Sequence, residues 1–158
     1  MNEETIYDVY WEGPFYWGDK KLNNPDYVLY SFHGTHPLYG NNKLLYIGMT
    51  EVSPGERFIS HNSWVRYEYD AMTIKVASVD IFKGWKEWEN YEYDRYKKFV
   101  DTIVLRKIEA LLIIAHQPAY NSVNKETANN AKGIRVFNTG NIGLLFPEVS
   151  YLYHVGKK

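Results

Sequence analysis

Glu109 stands in an apolar helical frame, with Leu105, Leu112 and Ile113 at −4, +3 and +4. A carboxylate so flanked reads as at least half-buried, and burying it unpaired is costly, so it needs a cation or a proton. Arg106 at i−3 offers an ion pair; the sharper reading makes Glu109 a metal ligand. Arg57 and His61 are spaced i, i+4, with Trp64 one turn further. All three then look out from one helix face. That face is either simply solvated or chemically active, since a packed core needs neither an arginine nor a histidine. Tyr30, Tyr46, Gly48 and Asn121 are the remaining residues of interest. Taken singly, the tyrosines are packing residues, the glycine a strand end, and the asparagine a partner for loop backbone groups.

The elements that must position these groups follow from local pattern. "TIYDVYW" alternates and is closed by the "EGP" turn signal, so it predicts a strand. "DYVLYSF" and "KLLYIG" predict two more, joined by the turn-rich connection "HGTHPLYGNN". A hairpin centred near Leu38 sets Tyr30 roughly opposite Tyr46, on one face of the sheet. Ser53 as N-cap, Pro54 at N1 and Glu56 at N3 predict a helix over about Pro54 to Trp64. "MTIKVASVDIF" predicts a further strand. From about Tyr93 to His116, Val100, Val104, Ile108, Leu111, Leu112 and Ala115 recur at helical spacing until Pro118 stops the pattern. The tail predicts a polar loop, "NKETANNAKG", and short strands around Gly and Asn turns.

At 158 residues, with 45% apolar and 17% aromatic content, the chain suits one domain with a real core. The absence of cysteine removes disulfide frameworks and thiolate metal sites. The acidic, polar start "MNEETIYD" does not resemble a signal peptide, and "ALLIIA" is far below membrane-spanning length, so the expectation is a soluble, cytoplasmic protein with no membrane partner. Eighteen Lys+Arg against 19 Asp+Glu offer no overall basic character, so any phosphate binding must be local. "KGWKEWENYEYDRYKKF" interleaves aromatics with charge, and Trp85 and Trp88 could stack on bases. Its five basic and four acidic residues between Lys83 and Lys98 equally suit core packing or a mixed-charge face. His33 and His36 share a loop and could contact DNA or serve only the turn; His116 and His154 read as structural.

In order and spacing, the set resembles the GIY-YIG nuclease superfamily. "VLY", Val28 to Tyr30, stands at the first tripeptide and "YIG", Tyr46 to Gly48, at the second. "R-x-x-x-H", Arg57 to His61, follows, and "IEALLIIAHQPAYN" is similar to the family's helix and loop, with Glu109 at the metal-binding glutamate and Asn121 at the structural asparagine. The motif core covers about 27–121 of a single domain over 1–158. Two departures stand out: the first tripeptide keeps only its tyrosine, and the hairpin connection is longer than in compact members, which hints at a subgroup-specific substrate or interface element.

The resemblance implies an α/β (α+β) fold with a small, largely antiparallel sheet flanked by helices, and a divalent-metal-dependent DNA endonuclease. It implies one Mg²⁺ or Mn²⁺ ion held by Glu109, water and a phosphate oxygen. Arg57 would hold the scissile phosphate, and Tyr30 would be the leading candidate to activate water. Tyr46 and His61 would orient water or relay protons, Gly48 would let DNA approach, and Asn121 would support the site. Lys43, Trp64, Trp85 and Trp88 are candidate DNA contacts. A homodimer or a protein partner could supply specificity. Two other readings stay open: a non-catalytic nucleic-acid-binding module on the same scaffold, and an aromatic-rich protein-interaction domain suggested by "YWEGPFYW".

Overall fold

Strand-forming runs rich in Val, Ile, Tyr and Phe build the frame of the computed structural model, which describes residues 4–57, 72–82, 101–122, 125 and 129–154. The strands are β1 (Thr5–Phe15), β2 (Leu29–His36), β3 (Gly40–Met49), β4 (Thr73–Ile81), β5 (Ile134–Gly140) and β6 (Glu148–Ser150). They form one sheet in the order β3-β2-β4-β1-β5-β6. Every neighbouring pair is antiparallel except β1 and β5, which run parallel. Among the described residues the α-helices are α1 (Pro54–Arg57), α2 (Thr102–His116) and α3 (Tyr151–His154). The architecture is therefore mixed α/β with a mostly antiparallel sheet and few helices. Among the described residues no helix is long and apolar enough to cross a membrane.

Period-two alternation divides the core. Leu29 and Ala77 pair across β2 and β4 and join the cluster that receives Leu105, Ile108, Leu111 and Leu112 of α2. Tyr30 and Phe32 point the other way, pair with Val76 and Ile74, and join a second cluster with Leu22, Tyr27 and Leu45. β2 is thus buried on both faces from Leu29 to Gly34, with the polar side chains of Ser31 and His33 enclosed as well.

Several expectations change in detail. β1 runs on through the "EGP" turn signal to Phe15 instead of ending there, with a register irregularity between Glu12 and Phe15. The long helix begins at Thr102 rather than near Tyr93: Asp101 is extended, and its carboxylate accepts from the backbone N–H groups of Ile103 and Val104 at 3.0 and 3.3 Å, an N-cap that ends any helix arriving from upstream. Residues 93–100, with Val100 among them, lie outside the described residues. At the other end Gln117 takes the left-handed conformation at φ 49° and closes the helix just before Pro118, as the pattern predicts. The connection "HGTHPLYGNN" is mostly strand, because β2 runs to His36 and β3 starts at Gly40. Gly40 and Asn42, at φ 90° and 52°, supply the left-handed backbone that the tight reversal needs.

His33 is an interior residue, not a loop contact. It is 4% exposed, and its Nε2 lies 2.8 Å from Ser31 Oγ; Lys75 is the residue opposite Ser31 on β4, diagonal to His33. Burial, helped by the Lys75 ammonium, pushes the imidazole down to about 4, and burial lowers Lys75 too. Lys75 Nζ donates to the Asn141 carbonyl at 3.0 Å. Because the folded imidazole titrates below its unfolded value of about 6.5, the unfolded chain binds the extra proton first. The stabilisation is therefore complete above about pH 6.5 and falls as pH drops toward 4, by about 3 kcal/mol in all. Urea unfolding at pH 7 and pH 4.5 should show this loss, and His33→Asn should shallow the slope.

Candidate active site

Gly48 and Tyr30 are direct partners across the hairpin, and Tyr46 faces Phe32. The pairing predicted for Tyr30 and Tyr46 is displaced by two residues, because β3 carries one extra residue at each of two irregularities, between Phe32/His33 and between Gly34/His36. Two residues are one full pleat, so Tyr46 still falls on Tyr30's face. The rings lie 6.1 Å apart between centroids at 22°, and Phe32 stacks on Tyr46 at 5.9 Å. Gly48 has a local reason to be glycine. A β-carbon there would stand 2.4 Å from Cζ and 2.5 Å from the hydroxyl of Tyr30, so the missing side chain is the space that the phenol occupies.

Asn121 fixes the same tripeptide from the open edge of the sheet. Its Oδ1 accepts from the Ile47 N–H at 2.9 Å and its Nδ2 donates to the Ile47 carbonyl at 3.0 Å. Just before it, the N–H groups of Ala119 and Tyr120 donate to the carbonyls of Leu44 and Leu45 at 3.2 and 2.7 Å. Residues 119–121 thus act as a partial extra strand along β3, satisfying groups that an edge strand would leave open. Asn121→Ala would leave the buried N–H and C=O of Ile47 unpaired, and should cost roughly 2–4 kcal/mol in urea unfolding.

Past the tripeptide the chain leaves β3 through Thr50, whose Oγ1 accepts from the Val52 N–H at 3.1 Å and donates to the Ser53 carbonyl at 3.2 Å. This turn delivers Glu51 and Val52 to a cleft of about 550 Å³ and starts α1 at Pro54, as the sequence predicts. Helix α2 packs against β3 and brings Arg106 and Glu109 to the same cleft. Tyr30, Tyr46, Met49 and Asn130 complete the lining. Glu109 is partly exposed, as its apolar frame suggests.

Of the predicted site residues, Tyr30, Tyr46 and Glu109 meet in one cleft, with Gly48 and Asn121 directly supporting it. Arg57 closes α1, five residues after the cleft residue Val52. His61, Trp64, Trp85 and Trp88 lie outside the described residues. Lys43 is exposed on β3 near the hairpin tip and is not part of the cleft wall. Tyr30 is fully buried while Tyr46 keeps solvent contact, which bears on their roles. A base must touch the water it activates, so the accessible phenol is the better placed of the two.

Glu51, Arg106 and Asn130 are cleft residues that sequence reasoning did not single out. Arg106 carried a signal, its spacing from Glu109, but was assigned only to pairing. Glu51 and Asn130 sit in turns whose placement depends on the tertiary fold. Among the described residues no cluster of three His, Asp or Glu side chains occurs. The donor set nevertheless suits a hard divalent cation, because the carboxylate residues Glu51 and Glu109 line one cleft together with Tyr30 and Tyr46. A scan of protein-family models, and searches of curated proteins and of solved structures, give no significant match to the chain.

Proposed function

We propose that the chain is a divalent-metal-dependent DNA endonuclease of the GIY-YIG kind, hydrolysing phosphodiester bonds in the cleft between β3 and α2. The observation that carries this reading is the convergence of Tyr30, Tyr46 and Glu109, from three separate elements, on a single cleft. Neither a core nor a generic surface requires phenols and carboxylates to meet in this way.

Glu109, with Glu51 near it, would hold one Mg²⁺ or Mn²⁺ ion. When bound, such an ion supplies Lewis-acid polarisation of a phosphoryl oxygen. Arg57 holds the scissile phosphate through its planar fork, and Arg106 adds positive charge at the rim. Tyr46, as its phenolate, takes the proton from the attacking water and becomes the neutral phenol, with Tyr30 packed behind it and held over Gly48. This exchanges the roles that the motif alone gives to the two tyrosines, because exposure favours Tyr46. His61 relays the proton onward. The clamp of Asn121 on Ile47 keeps Tyr46 in register with α2, a positioning role.

The reading is tested by incubating the purified chain with supercoiled plasmid, single-stranded and branched DNA, with Mg²⁺, with Mn²⁺ and with chelator. Metal-dependent nicking of at least one substrate is the expected result. Intact DNA under every condition, from a chain shown to be folded, would remove the catalytic reading and leave a binding module.

A further inference from the structure

We propose that the β2–β3 hairpin tip is a stacking platform for an unpaired nucleobase, so that the substrate of the cleft is nucleic acid with single-stranded character. This deepens the proposed function and rests on it. Tyr39 is 66% exposed at the tip, and one face of its ring is already occupied: the His36 imidazole lies 4.4 Å away at 20°. His36 in turn packs on Tyr120 at 5.5 Å. Tyr120 packs against the same cluster as Tyr46, the one that contains Tyr30 and Phe32, so the tip rings are anchored on the core that also backs the cleft wall.

The tip is built rather than loose. His36 Nδ1 accepts from the N–H groups of both Leu38 and Tyr39, at 3.0 and 3.1 Å, and Thr35 Oγ1 donates to Asn41 Oδ1 at 3.2 Å. The accepting role of Nδ1 places the ring proton on Nε2. An exposed aromatic ring fixed in advance loses little freedom on binding, which is the property of a recognition element. Base faces are what such a ring accepts without regard to sequence, and only unpaired or terminal bases offer them. Exposed Lys43 on the neighbouring strand supplies charge for the backbone of the same strand of nucleic acid. At about 3.3 Å per residue, the tip lies roughly 20 Å along β3 from Tyr46, a span of several nucleotides.

The test uses the full chain carrying Glu109→Gln, to prevent cleavage, and a labelled single-stranded oligonucleotide with one abasic position moved along it. Binding should weaken about tenfold when Tyr39→Ala is added, and remain when Tyr39→Phe is added. One abasic position should weaken the Tyr39-containing chain and have no further effect on Tyr39→Ala. Equal affinity and an equal abasic profile with and without the Tyr39 ring would overturn the platform while leaving the nuclease reading intact. A platform confirmed in a wild-type chain that never cleaves would instead remove the catalytic reading alone. If the wild-type chain binds no nucleic acid, both fall. If Tyr39→Ala dissociates a dimer without altering binding, the tip is an interface between copies.

Discussion

Glu109→Gln should lower metal-dependent cleavage by at least about a thousandfold, with the far-UV spectrum and unfolding midpoint close to wild type. The size follows from the cleft. Glu109 is the helical carboxylate that α2 presents there, and the amide keeps its shape and hydrogen-bonding volume while removing the charge that holds a cation. Glu109 itself is only partly buried, so the neutral amide should cost the fold little. Single-turnover cleavage at saturating Mg²⁺ measures the loss. Near-normal nicking by the folded variant would take Glu109 out of the role.

The second large effect is expected at Tyr46. Tyr46→Phe keeps the ring that stacks on Tyr30 and Phe32 and removes only the hydroxyl of this partly exposed, cleft-lining side chain, so the rate should fall about a hundredfold or more, with stability nearly unchanged. Tyr30→Phe should cost less in rate, since the Tyr30 hydroxyl stands over Gly48 in a fully buried position. The pH profile separates them. A phenol base gives a rate rising with pH, and that alkaline limb should vanish in Tyr46→Phe and survive in Tyr30→Phe. The reverse outcome would return the base to Tyr30.

Much of this arrangement was legible in the residues themselves. Strands β2 to β5 follow from β-branched and aromatic runs, and the end of α2 from Pro118. The half-buried state of Glu109 follows from Leu105, Leu112 and Ile113 alone, because helical spacing fixes which neighbours surround it. What local pattern could not supply is register. The two extra residues in β3, one of them Leu45 packed into the Tyr30 cluster, leave no mark on the sequence period. The turn-like "HGTHPLYGNN" misleads for the same reason: its glycines and asparagines mark irregular strand rather than its absence. His33 reads as a loop residue only while that segment is taken as a loop. The start of α2 was hidden because helical periodicity upstream of Asp101 outweighed a single good N-cap residue. Glu51, Arg106 and Asn130 join the cleft through tertiary placement, which spacing along the chain cannot express.

The proposed function requires the cleft between β3 and α2 to hold a single divalent ion against a phosphate. Its most direct test replaces Mg²⁺ with Fe²⁺ in the complex with an oligonucleotide and generates hydroxyl radicals at the iron with ascorbate and peroxide. Mapping the protein backbone cuts locates the ion without any dependence on turnover. Cuts should cluster around Glu51 and around Arg106 and Glu109, be suppressed by excess Mg²⁺ and be absent in Glu109→Gln. Cuts clustered elsewhere on the chain, or an unchanged pattern in Glu109→Gln, would contradict it.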